Sequence, residues 1–114
     1  MQPDKYDILE LILSVGQARN CYVQAIQEAK SHHYEECNEL MRKGNEVYQK
    51  GHRIHQGLMQ EEAGGEHVDI SVLLTHAQDQ LMSAENFKIL CEEFVDMYRK
   101  MDELEAKLDR VSNR

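Results

Sequence analysis

The residues of this chain best suited to chemistry are His76, Asp79, Gln80 and Ser83 in one segment and His52 and His55 in another, with Gln78 beside the first set. Spacings of three and four place His76, Asp79 and Ser83 on one side of a helix, and His52 and His55 on one side of a second. A histidine whose reference pKa is about 6.5 is largely neutral near pH 7, so its free ring nitrogen can take a proton, a metal or a phosphoryl group. Three readings are open on spacing alone. The residues can form a satisfied polar layer that fixes helix register. His52, His55, His76 and Asp79 can hold zinc, although no cysteine pair or His-Glu-x-x-His pattern accompanies them. His76 can also act as an acid–base or phosphoryl-accepting group. A Ser-His-Asp pattern, a glycine-rich phosphate loop and a nucleophile elbow are all missing, which speaks against general hydrolysis.

Long helices must position these groups. Ile8, Leu11, Ile12, Val15, Ala18, Tyr22, Ala25, Ile26 and Ala29 recur at three and four residues and predict a helix over about residues 4–30, with Asp4 as its N-cap. The stripe lapses at Ser31-His32-His33, where Ser31 or His33 is placed to cap the next helix and both histidines are expected in solvent. A second stripe of Tyr34, Cys37, Met41, Gly44, Tyr48, Gly51, His55 and Leu58 predicts a helix over about 34–62. Gly44 and Gly51, seven apart on that stripe, mark points of close helix approach, because glycine within a helix otherwise costs about 1 kcal/mol against alanine. Ala63-Gly64-Gly65-Glu66-His67 is a loop, with His67 solvated.

The third helix is expected over about 70–112, starting near Asp69 or Ser71. It carries a strict heptad of Phe87, Leu90, Phe94, Met97, Met101, Leu104, Leu108 and Val111. Carried backwards, the heptad meets Ser83, Gln80, His76 and Leu73, so a wholly apolar seam turns polar and is expected to be buried there. Antiparallel packing through the glycine loop brings the end of the second helix, with His52 and His55, beside the start of the third. The third helix outruns the other two, and self-association is the simplest way to cover its apolar overhang.

Composition agrees with a single helical domain over residues 1–114. Hydrophobic residues make up 41% and charged residues 30%, aromatics are few and tryptophan is absent, which suits an all-α interior of Leu, Ile, Val, Met and Ala. No apolar run approaches a membrane span, and no basic region followed by an apolar run opens the chain, so a cytoplasmic location is expected. Cys21, Cys37 and Cys91 are widely spaced and odd in number, as for reduced, buried thiols. Thirteen basic against 21 acidic residues give a net charge of −8, which disfavours nucleic acid and anionic membrane and leaves a basic protein surface as a plausible partner.

The segment Ile-Ser-Val-Leu-Leu-Thr-His-Ala-Gln-Asp-Gln-Leu-Met over residues 70–82 resembles the signature of the lactose/cellobiose-type IIA component of the bacterial sugar phosphotransferase system. Gly16-Gln17-Ala18-Arg19 resembles the Gly-x-Ala-Arg segment of that family's first helix. His52-x-x-His55 with Gly57, and Glu62-Ala63 before the glycine loop, resemble its second helix. The resemblance reaches to about Arg99.

It implies an antiparallel three-helix bundle assembling as a homotrimer. By the same resemblance His76 accepts a phosphoryl group through Nε2 from the phosphocarrier protein HPr and passes it to a cysteine of the IIB component. IIB then phosphorylates the sugar, a β-disaccharide, entering through the membrane component IIC. Asp79 and its symmetry mates are implied to hold Mg²⁺ on the trimer axis, with Gln78, Gln80, His52 and His55 in support. Gln80 stands where the family usually has histidine, and His55 where it usually has glutamine. That exchange is expected to preserve a His–Gln hydrogen bond between the second and third helices. An adaptor or regulatory protein on the same fold, with His76 structural or a sensory phosphosite, is the alternative.

Overall fold

The computed structural model describes residues 2–113 as three helices: α1 Lys5–Lys30, α2 Tyr34–Ala63 and α3 Val72–Ser112. Local chemistry fixes most of their ends. Asp4 accepts the Tyr6 N–H at 2.8 Å, and Ser71 accepts the Leu74 N–H at 3.0 Å, so each serine or aspartate satisfies a first-turn donor that the helix leaves unpaired. Ser31 closes α1 rather than opening α2, and His33 occupies the N-cap position of α2 with no side-chain bond to the backbone. Gly65 takes φ +98° just after α2, a conformation open to glycine, and lets the chain turn toward α3. Val68 is buried in the connection and ties it to the core.

The helices run up, down and up. Lys50 reaches Glu10 at 2.8 Å and the Tyr22 hydroxyl donates to Asn45 at 2.7 Å, a register that makes α2 antiparallel to α1. Cys91 donates to the Tyr22 carbonyl at 3.4 Å and Arg19 lies over the Phe87 ring at 5.9 Å, which makes α3 parallel to α1. α1 packs on both other helices along its length, whereas α2 and α3 meet only sparsely. The core joins the α1 stripe of Ile8, Leu11, Val15, Ala18, Tyr22, Ala25 and Ala29 to Cys37 and Tyr48 of α2 and to the inward face of α3 from Leu74 to Val95. Cys21, Cys37 and Cys91 are free and buried. No helix among the described residues is long and apolar enough to cross a membrane.

Gly44 and Gly51 are the close approaches that their spacing predicts. A Cβ on Gly44 would lie 2.8 Å from Tyr22 Cε1, and one on Gly51 would lie 3.0 Å from Val15 Cγ1. Gly57 faces open space.

The heptad of α3 is not the stripe that the bundle buries. α3 turns Leu74, Ala77, Leu81, Ala84, Cys91 and Val95 inward, and leaves Leu90, Phe94, Met97, Met101, Leu104, Leu108 and Val111 exposed. Small residues explain the choice, since Ala77, Ala84 and Cys91 let α3 approach the large side chains of α1, as Cys91 does at Tyr22. The overhang is real: α3 runs ten residues past Asp102, the last position at which it is tied to the α1–α2 turn. At 1.5 Å per residue this is about 15 Å of helix past that tie, along which Leu104, Glu105 and Leu108 still line an open depression with Lys30 and His32.

Candidate functional site

Because the bundle takes the neighbouring stripe, His76 and Asp79 are exposed rather than buried, and Gln80 and Ser83 are half-buried. Among the described residues, these four build no buried polar layer within the chain. His76 and Asp79 line an open depression of about 620 Å³ with Ile70, Ser71, Val72 and Thr75, at the start of α3. Helical side chains lean toward the N-terminus of their helix, so the His76 ring leans back over the first turn, where Ser71 has satisfied only part of the free N–H groups. That end carries partial positive charge and suits an anion borne by the ring. One turn on, the Asp79 carboxylate lines the same depression, so the ring and this carboxylate share one open surface.

The supporting residues do not converge on His76. Gln78 faces α2 and lines a separate cleft of about 140 Å³ with Leu58, Met59, Glu62, Val68 and Leu74. Gln80 is two residues, or about 200° of helical turn, away from Gln78 and so points to the other flank. The expected His55–Gln80 hydrogen bond is therefore not formed within the chain. His52 is half-buried with its ring 5.9 Å from that of Tyr48. His55 is half-buried too, and burial followed by the neighbouring His52 pushes its pKa down, so the ring is neutral near pH 7. Among the described residues no three His, Cys, Asp or Glu side chains gather to hold a metal, which removes a zinc site made of His52, His55, His76 and Asp79 within one chain.

A second polar cluster has no counterpart in the sequence reading. His32 adopts φ 67°, which turns its side chain toward α3, and its Nδ1 lies 2.9 Å from Asp102 Oδ2. The Tyr34 hydroxyl donates to the same oxygen, and Arg99 stacks 4.4 Å from the Tyr34 ring while donating to Asn38 at 3.0 Å. His33 pairs with Glu28 and His67 with Asp69, so the three histidines expected in solvent are exposed but partnered. Only a pairing across 70 residues could have announced His32–Asp102, and the local pattern around either residue carries no such signal.

The fold and site define a small all-α protein, an up-down-up bundle with an accessible histidine and carboxylate one turn apart on an uncovered face. The motif at that face places it further. Residues 7–99 match the family model described as the phosphotransferase system lactose/cellobiose-specific IIA subunit, and the chain belongs to that family. It is 36% identical over 96 residues to the lichenan-specific phosphotransferase enzyme IIA component of Bacillus subtilis, covering 84% of this chain and 87% of the relative. The oligo-beta-mannoside-specific EIIA component of the same organism is 35% identical over the same shares. The crystal structure of the cellobiose-specific enzyme IIA from Bacillus anthracis superposes with TM-score 0.83 at 41% identity, over 87% of this chain and 91% of that one. The IIA(chitobiose) of Escherichia coli, solved in solution as its complex with HPr, shares the fold at TM-score 0.75 and 24% identity, over 86% and 95%.

Proposed function

We propose that His76 is the phosphoryl carrier of this IIA component, taking the group from HPr and delivering it to a IIB cysteine in the cytoplasm. The observation that carries the reading is the position of His76: it is exposed on the uncovered face of α3, within the matched residues and within the His-Ala-Gln-Asp segment. A neutral ring with its proton on Nδ1 presents the Nε2 lone pair to phosphorus. The N–P bond forms there as the bond to the donor's nitrogen breaks, and transfer onward forms an S–P bond as the N–P bond breaks. Such a transfer asks mainly for position and for neutralisation of the phosphoryl oxygens. α3 supplies the first, and the first-turn N–H groups together with cationic groups of the partner supply the second, since this chain is acidic overall.

The exposed heptad supports a homotrimer in which copies of this chain cover one another's α3. Asp79 lies on that same uncovered side, and among the described residues of one chain no three His, Cys, Asp or Glu side chains gather to hold a metal. A hard cation such as Mg²⁺ fits carboxylate oxygens contributed by several copies. When bound it neutralises carboxylates that would otherwise repel. The substrate class is a β-linked disaccharide, in keeping with relatives named for lichenan, oligo-β-mannoside and cellobiose.

Incubation with labelled phosphoenolpyruvate, enzyme I and HPr tests the reading. Label should arrive on this chain and leave on addition of a IIB partner. A chain that stays unlabelled, or that holds its label against IIB, would be an adaptor or sensor instead.

A further inference from the structure

The α1–α2 turn closes one helix by itself and leaves the other to be held from outside. The His33 N–H donates to the Glu28 carbonyl at 2.8 Å and the His32 N–H to the Ala29 carbonyl at 3.0 Å. These are the two bonds of a Schellman turn, so α1 ends on its own backbone. α2 begins without such help. His33 stands at its N-cap with no side-chain bond to the backbone, and its ring pairs with Glu28 of α1 instead. The first-turn N–H groups of α2 therefore lack a side-chain cap, and an end of that kind frays most readily.

What holds this turn down comes from α3. The Tyr34 hydroxyl donates to Asp102 Oδ2, Arg99 stacks 4.4 Å from the Tyr34 ring, and Arg99 Nη2 donates to Asn38 at 3.0 Å. His32 completes the set, with Nδ1 2.9 Å from the same Asp102 oxygen. It does so at φ 67°, in the left-handed place of the turn where glycine would sit without strain. A side chain kept at that cost points to a use for it.

Of these five side chains only His32 changes charge near neutral pH. It is 64% exposed, so solvent protons reach it while the turn is closed. The charged and titratable groups around it are Asp102 and Glu105 of α3, Lys30 of α1, and Tyr34 of α2 on the shared oxygen. Asp102 favours the protonated ring, so the ring grips most tightly at low pH and lets go as pH rises.

Cys37 lies directly behind the turn. It is fully buried, its Sγ is 4.0 Å from Met41 Sδ, and its N–H donates to the His33 carbonyl at 3.0 Å. Burial pushes its pKa up, so the covered thiol is inert. Lifting the first turn of α2 from α3 uncovers it. Cys91, bonded to the Tyr22 carbonyl in the middle of the bundle, stays covered until the bundle itself opens.

We propose that the His32–Asp102–Tyr34 clasp is a pH-operated latch on the first turn of α2, which is closed while His32 is protonated and opens locally, baring Cys37, as pH rises. The latch is independent of the carrier reading, since His76 lies at the other end of the bundle, at the start of α3.

Iodoacetamide labelling of the native full chain, mapped thiol by thiol by mass spectrometry, tests the latch. In the wild type Cys37 should label at least about tenfold faster than Cys91, because a local opening is more frequent than a global one. Variant and wild type are then compared at one pH at a time, which cancels the rise of thiolate with pH. His32→Asn should speed labelling of Cys37 by about two- to fivefold at pH 6 and hardly at all at pH 8.5. Tyr34→Phe loses the hydroxyl bond without removing a group that titrates in this range, and should speed labelling by a similar factor at both pH values. Equal rates at Cys37 and Cys91 in the wild type would show that the turn opens only with the whole bundle, and would overturn the latch. A His32→Asn factor that is the same at pH 6 and pH 8.5 would overturn its control by pH.

Discussion

Asp102 Oδ2 lies 2.9 Å from His32 Nδ1 and also accepts the Tyr34 hydroxyl, so one carboxylate pins the α1–α2 turn to α3 at the place where α3 leaves the bundle. The hydrogen bond to Asp102, then its charge, raises the His32 pKa, with a smaller push from Glu105. The bonds from Tyr34 and His32 lower that of Asp102. Tyr34 is pushed up to about 12, first by burial and then by its bond to Asp102.

The clasp therefore has a pH window. A raised histidine contributes fully below its ordinary value of about 6.5 and stops contributing as pH climbs through the raised one. A lowered carboxylate contributes above about 3.8 and is lost as pH falls through the depressed value. The His32→Asn variant keeps a residue that tolerates positive φ, so it removes the pair without adding backbone strain. Its melting temperature should fall further below wild type at pH 5.5 than at pH 8.5. An equal gap at both pH values would show that the pair contributes nothing as an ion pair.

The helical glycines should respond oppositely to alanine. Gly44→Ala drives a methyl to 2.8 Å from a Tyr22 ring that is fully buried and held by Asn45, so the ring cannot yield. A loss of about 1–3 kcal/mol is expected from overpacking of this kind. Gly57→Ala meets nothing within 4 Å and should stabilise by up to about 1 kcal/mol through helix propensity. Urea titration of both variants reads the difference in sign.

His76→Gln should bring phosphoryl acceptance from HPr to background. The side chain is exposed, so stability should change by no more than about 0.5 kcal/mol. Acid-labile, base-stable label persisting on the variant, at His52 or His55, would move the acceptor to α2.

Asp79→Leu should give an assembly at least as stable as wild type. In the proposed trimer it would remove like charges that face one another between copies and add apolar surface, about 1.5–3 kcal/mol for each leucine that becomes buried. EDTA should lower the melting temperature of the wild type and leave the variant unchanged. If EDTA moves neither, Asp79 does not bind a cation.

Much of this protein was legible in its sequence because local causes set it. Asp4 and Ser71 cap helices through bonds to donors two and three residues away. The α1 and α2 stripes bury the faces that their periodicity marks, and Gly44 and Gly51 sit where the helices touch. The His76–Asp79 pair is a matter of spacing on one helix. Tertiary structure alone decided which way α3 faces. Two stripes on α3 share a seven-residue repeat, and hydrophobicity favours the one with Phe94, Met97 and Leu104. The bundle instead takes the one with Ala77, Ala84 and Cys91, because close packing against Tyr22 and its neighbours depends on volume, which periodicity does not encode. That rotation is what exposes His76 and Asp79 and separates Gln80 from His55. The His32–Asp102 clasp was equally out of reach, since it joins residues 70 apart whose meeting depends on the lengths and register of all three helices.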